Sequence, residues 1–458
     1  MKKNLVMSLV AVGLLTSANA ADDLSSMFKD GKVSGQLREF SILRNTNYSD
    51  TTADFSREAN TVGGYLKFDT ADYKGLSLGA AFYTTNGFGL PGNSAHIDPT
   101  LLGVNKSSYS LLGEAYVQYK YENTTFKGGR QKLDTPLAGS DDARMLPNLF
   151  EAYVLTNTDI ANTTLLAAHV TQEAAGTFAN GYAGGVYGAT SGYTFEQSTD
   201  VHNTATMQGK FTNMGTWAVG QETKGVSTVA AIYAKGSLKA QVWDYYAYDI
   251  LNAVYGEASV GWNCLLTDKI KPSLSAQMIK ENAIGERFAG DVNSFFGAGK
   301  FNVNVGDANI YVAYSEQSKN DKYPGTYPTT TNALQALEKA TITPWGGMPA
   351  FTQGMVTRNQ FIAGTKATKI AGSYDFKNMG ANVVASAFYT SFDMDKNSGA
   401  GSVRTATEPG FDVAYKPAAV KNLELKFRGN FPRQYSDNAN GTNSRDWDEY
   451  RFIANYNF

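Results

Sequence analysis

The sequence predicts an all-β transmembrane protein, an antiparallel barrel of about 18 strands with one constriction loop folded inward. Three observations carry this. Apolar residues recur at every second position in many short runs, the connections between runs alternate between short and long, and the last run ends on an aromatic, Phe458.

Residues 1–20 come first. Lys2 and Lys3 precede an apolar core from Leu5 to Leu15, and Ala18-Asn19-Ala20 follows. Charge, core and small-residue site in that order are a secretory signal, and the core is too short to span a bilayer. Its removal leaves one barrel domain, 21–458, since no linker or composition shift divides the chain. Losing Lys2 and Lys3 takes the formal charge from −2 to −4. Neither sign dominates, so no nucleic acid is expected as a partner. The single cysteine, Cys264, excludes an internal disulfide framework and is expected within a strand as a small apolar residue.

Beyond the signal no apolar run reaches about 18 residues, which excludes a transmembrane helix. The mean hydropathy of −0.31 suits a soluble protein, but a barrel has the same average because only alternate residues meet lipid. Periodicity decides. Leu66 and Phe68 alternate with Lys67 and Asp69, Leu238, Ala240 and Val242 with Lys239, Gln241 and Trp243, and Leu274, Ala276 and Met278 with Ser273, Ser275 and Gln277. Phe411, Val413 and Tyr415 alternate with Asp412, Ala414 and Lys416, and Leu423, Leu425 and Phe427 with Glu424, Lys426 and Arg428. Each is a half-buried strand, about ten residues long where it crosses hydrocarbon.

Short turns are expected at Ala71 to Gly75, Tyr121 to Thr124, Lys235 to Gly236, Lys377 to Gly380 and Pro417 to Lys421. Longer polar stretches fall between them: Thr85 to Tyr109, Gln172 to Gly225, Glu316 to Phe361 and Pro432 to Trp447. That alternation is the plan of an outer-membrane barrel, with tight periplasmic turns and extended outer loops. Tyr450, Phe452, Ala454, Tyr456 and Phe458 then share one face of the closing strand. Such a strand suits recognition by the barrel-assembly machinery of a Gram-negative outer membrane.

A bore this wide needs narrowing to be selective. Gly129 to Glu151 is too rich in proline, glycine and charge to be a strand, and polar enough to line a water-filled cavity at membrane depth. Residues 132–148 are the expected constriction loop, and Arg130, Asp141, Asp142 and Arg144 its charged set. If Phe126 faces lipid, however, Arg130 shares that parity and must lie beyond the membrane or after a bulge. Inward parity also selects a basic row: Arg38, Arg44, Lys239, Lys300, Lys369, Lys426, Arg428 and Arg451. Cations in a confined pore attract anions and carboxylates, and acidic groups opposite would add zwitterions.

The chain resembles the OprD-type porins, the carboxylate channels of Gram-negative outer membranes. Gly129-Arg130-Gln131, Thr135-Pro136-Leu137, Ser140-Asp141-Asp142, Arg144-Met145-Leu146-Pro147 and Phe150-Glu151 carry the resemblance. Gly35-Gln36-Leu37-Arg38, Ser373-Tyr374-Asp375-Phe376 and Leu425-Lys426-Phe427-Arg428 support it, and Phe150-Glu151-Ala152 departs slightly from a Phe-Glu-Gly ending. The resemblance implies an 18-stranded barrel with an inward third loop, a basic ladder, and uptake of small carboxylate or amino-acid solutes. It implies that Arg144 is the constriction arginine, with Arg38, Lys426 and Arg428 in the ladder. Pro344-Trp345-Gly346-Gly347-Met348-Pro349 would be a second constriction element. Outer-membrane lipid and lipopolysaccharide would surround the barrel, as a monomer or loose trimer, with no cofactor.

A barrel hydrolase and a surface adhesin are the alternatives. His96, His169 and His202 show no motif of nucleophile and base, and no pair has the spacing of a helical zinc site. Asp393 to Asn397 begins like a calcium loop, but Ser398 takes the glycine position and Arg404 the final carboxylate. The glycine-rich run at 184–188 lacks the following helix that a phosphate cradle needs.

Overall fold

A computed structural model of the chain describes residues 21–48, 54–88, 96–103, 106–178, 209–265, 267, 269–322, 338–347, 349–394, 403–436 and 444–458. The signal-like segment, His202, Met348, the 184–188 run and Ser398 lie outside the described residues.

Lipid reads every second side chain, so the period-two runs become strands. Their backbone groups are satisfied only by pairing with neighbours, and the pairing must close. Eighteen strands among the described residues do so: β1 (Lys32–Tyr48), β2 (Phe55–Asp69), β3 (Leu76–Gly87), β4 (Tyr109–Tyr121), β5 (Thr124–Gln131) and β6 (Leu149–Asn157); β7 (Thr163–Ala174), β8 (Val226–Lys235), β9 (Leu238–Ala247), β10 (Leu251–Gly261), β11 (Ile270–Ala283) and β12 (Asn293–Val305); and β13 (Ala308–Gln317), β14 (Thr365–Asp375), β15 (Val383–Met394), β16 (Arg404–Tyr415), β17 (Leu423–Asn430) and β18 (Ser444–Asn457). Each pairs antiparallel with the next. β18 returns to β1, where Arg38 faces Asn455 and Phe40 faces Ile453. Two-residue pieces at Thr212–Asn213 and Tyr435–Ser436 extend β7 and β18.

The outer face is apolar, with Leu66 54 % exposed, Phe82 50 % and Leu274 52 %. The inner face keeps Lys67, Gln241, Trp243 and Gln277 covered or half-covered. Eight tight turns lie at the end that also holds both termini. There the short helix α1 (Leu24–Lys29) is capped reciprocally by Asp23 and Ser26. The opposite end carries the long connections, together with two short links, 49–54 and 248–250. Cys264 is not in a strand: β10 stops at Gly261, and Cys264 sits in the turn that follows, its N–H donating to Ile270 O at 3.0 Å.

The apolar core lies inside the barrel. Counting only the connections at the end opposite the termini, Leu133, Leu137 and Ala138 of the third connection (132–148) pack with Trp345, Ile342 and Phe361 of the seventh (318–364), and with Trp217 of α2 (Met214–Val219). All bear on Phe150, Val154, Trp243, Tyr245 and Tyr255 of the wall.

Candidate functional site

β5 has only eight residues, and the chain leaves it at Lys132 to cross the lumen before rejoining the wall at Leu149. The crossing is fastened at three places. The first is Arg38, on the inner face of β1. Its guanidinium grips Asp142 through Nη1 at 2.7 Å and Nη2 at 3.3 Å, donates to Arg144 O at 2.6 Å, and is held by Asn455 Oδ1 at 2.8 Å. Asp142 keeps 34 % of its side chain exposed, so this is the fastening that faces water. Burial pushes the Asp142 carboxyl up, but the charge and hydrogen bonds of Arg38, then Lys132 and Lys426, outweigh it and hold the group below its ordinary value.

The second fastening is dry. Arg144 reaches Glu449 Oε1 at 2.8 Å, and Glu449 also pairs with Arg44 at 3.1 Å and Arg451 at 3.0 Å. Arg44 pairs with Asp98 at 3.2 Å, and Arg144 Nε donates to Thr100. Three guanidiniums around two carboxylates are stable out of water only because each is paired. The third fastening joins two loops. Arg358 of the seventh connection donates to Asp141 at 3.0 Å, Gly347 N donates to the same carboxylate at 3.2 Å, and Gly139 N donates to Trp345 O at 3.0 Å. Glu281 and Glu408 hold the seventh connection, accepting from Ile342 N at 2.9 Å and Met355 N at 2.8 Å.

These positions correct part of the sequence reading. Arg130 is not at the constriction. It faces outward with Phe126, pairs with Glu151 at 3.5 Å and stacks on Phe211 at 4.3 Å. Arg44 and Arg451 have inward parity and Arg144 lies in the expected constriction loop, but the three are sealed, at 0 %, 1 % and 0 % exposure, because Asp98, Thr100 and Phe178 from distant connections cover this cluster. Asp141 is likewise spent on Arg358 rather than turned to water.

The other inward cations lie along the wall. Lys426 pairs with Glu424 at 2.8 Å and Arg428 with Asp412 at 2.7 Å. Lys300 sits over the Phe351 ring at 4.2 Å, and Lys369 donates to Gln353 O at 2.5 Å while lying over Phe388. Lys239 is half-buried near the 236–237 turn. Two basic wall residues are additions to the row, Lys67 and Lys127. Parity could have found both, since each follows an outward apolar neighbour, Leu66 or Phe126.

Two cavities meet at this constriction, one of about 300 Å³ against β2–β5 and one of about 720 Å³ opening toward the 416–422 turn. Gln36, Arg38 and Asp142 line both. His169 contacts Ser227 Oγ at 3.0 Å on the outer wall and stands edge-on to the Tyr248 ring, and His96 Nδ1 lies 3.1 Å from Ser56 O. Among the described residues no group of His, Cys, Asp and Glu could hold a metal ion.

Residues 26–181 match the family model described as outer membrane porin, OprD family. No curated protein matches the chain. Solved structures share its fold. Pseudomonas aeruginosa OpdK with vanillate is 14 % identical with a TM-score of 0.71, OccK9 (OpdG) of that organism is 20 % identical with 0.71, and its OccK8 (OprE) is 16 % identical with 0.68. Each comparison covers 94 % of this chain and 99 % of the other.

Proposed function

We propose that this chain, whose residues 26–181 match the OprD family of outer membrane porins and whose barrel shares the fold of OpdK and OccK9, is a porin of that family and passes small carboxylate-bearing solutes, organic acids or amino acids, by passive diffusion through a charged constriction. The observation that carries this is the Arg38–Asp142 pair, the water-facing fastening at the junction of the two cavities. Lys67, Lys127, Lys132 and Lys426 stand around that junction and bias it toward anions, while Asp142 and Glu114 leave room for an ammonium on the same solute. A structural relative holds vanillate, an aromatic carboxylate, which suits this substrate class.

In this reading residues 1–20 are the export signal and 132–148 the constriction loop. Arg38, Lys300, Lys369, Lys426 and Arg428 form the working ladder, with Lys239 at its inner mouth. The strand ending at Phe458 addresses the assembly machinery, and lipid with lipopolysaccharide surrounds a monomer or loose trimer. Family members are channels, which sets the hydrolase aside, and conductance would separate a channel from an adhesin.

The test is purified protein in planar bilayers and liposomes. Anion-favouring reversal potentials, with uptake of acids ahead of neutral sugars, are expected. Equal uptake of sugars and acids at zero charge preference would reject the proposal.

A further inference from the structure

The helix α1 rests on the outer face of the barrel wall. Leu24, Met27 and Phe28 are spaced i, i+3 and i+4 and share one face, while Ser25, Ser26 and Lys29 take the other. Met27, 1 % exposed, clusters with Ala21 and Ala71, and Tyr73, Leu76 and Leu78 pack against them. Leu76 and Leu78 have the outward parity of Phe82 on β3, whereas Ser77 between them points inward to Gln118, 3.5 Å away. Main-chain bonds pin the helix there: Ala71 N donates to Met27 O at 2.9 Å and Ala21 N to Asp72 O at 2.6 Å.

Strand register gives its depth. Leu76 lies opposite Tyr119 and Leu78 opposite Val117 on β4. Both partners face outward, at 46 % and 45 % exposure, and Tyr121 beyond them is 64 % exposed. Outward tyrosines near strand ends mark the membrane interface, so Met27 sits at the edge of the apolar band nearest the termini. Leu24 and Phe28 flank it yet stay 59 % and 53 % exposed. Six residues gain little from their own hydrogen bonds, so this helix depends on what its apolar face meets. On the neighbouring strands Val33, Leu37 and Leu66 also face outward, at 62 %, 54 % and 54 % exposure, which continues the lipid-facing surface beside it.

Resting on the membrane-barrel reading, we propose that α1 is an in-plane anchor set in the phospholipid leaflet on the periplasmic side, with Leu24 and Phe28 among the acyl chains and Ser25 and Lys29 turned to headgroups and water. Because α1 runs directly into β1, on which β18 closes, the anchor fixes the level of the closing seam in the bilayer.

The test places nitroxide labels on the purified full chain in phosphatidylethanolamine–phosphatidylglycerol vesicles, with Cys264→Ser removing the native thiol. Labels go at Leu24→Cys, Ser25→Cys and Phe28→Cys, with Leu66→Cys as the lipid reference. The ratio of collisions with dissolved oxygen to collisions with a water-soluble nickel chelate is the readout. It should be at least about threefold higher at Leu24→Cys and Phe28→Cys than at Ser25→Cys, and close to that at Leu66→Cys. Should Phe28→Cys fail to assemble, Leu24→Cys answers alone. A ratio at Leu24→Cys or Phe28→Cys no higher than at Ser25→Cys overturns the anchor. A chelate-accessible label at Leu66→Cys would instead overturn the membrane barrel itself.

Discussion

Arg144 and Glu449 meet at 2.8 Å with both side chains fully sealed from solvent, tying the third connection to the strand that closes the barrel. Arg144→Met should therefore act on stability before selectivity. Removing one partner of a buried pair is costly, and because Arg44 and Arg451 still compensate Glu449, the loss should be about 3 kcal/mol. Urea unfolding in vesicles measures it. Unaltered stability with reduced anion preference would place Arg144 in the aperture instead.

Asp142 governs the water-facing fastening. Its carboxyl is held below the ordinary value, so its ion pair is complete above about pH 4 and is lost as pH falls through the depressed value. Asp142→Asn should raise anion preference at pH 7, and the wild type should approach the variant only on strong acidification. Reversal potentials from pH 7 to pH 3 decide this, and coincident curves at pH 7 would refute it.

Arg38 contributes the cation at the junction of both cavities. Arg38→Gln should lower acid uptake about tenfold, equivalent to about 1.4 kcal/mol, while sugar uptake changes much less. Liposome flux of the two solute types gives the ratio. A proportional fall in both would mean that the loop had simply moved.

Trp345 anchors the seventh connection. Its indole N–H donates to Met214 O at 2.9 Å, and Trp217 donates to Pro344 O at 3.0 Å. Trp345→Ala removes a buried aromatic worth about 3–5 kcal/mol of packing, so limited proteolysis of the outer loops should quicken and single-channel current should fluctuate more. Wild-type digestion and current traces in the variant would argue against the anchor.

The barrel was legible because hydrocarbon selects every second residue. Leu66 and Lys67, or Phe427 and Arg428, declare their faces without knowledge of any partner. Whether an inward residue is wet or dry was not legible. Arg38 and Arg44 lie on one face of β1 six residues apart, yet Arg38 grips a half-exposed acid and Arg44 is sealed by Asp98, from a connection some fifty residues away in sequence. Lys127 shows the converse. Its parity was readable from Phe126, but its seat over the Tyr116 ring at 3.7 Å emerged only when β4 and β5 came together.

The third and seventh connections meet backbone to backbone at Gly139 and Trp345, and a Cβ on Gly347 would lie 2.2 Å from Pro136 O. Neither segment can be transplanted alone. A graft of residues 132–148 from another channel would arrive with the wrong counterpart across the seam, so exchanging apertures between relatives requires moving both halves as one cassette.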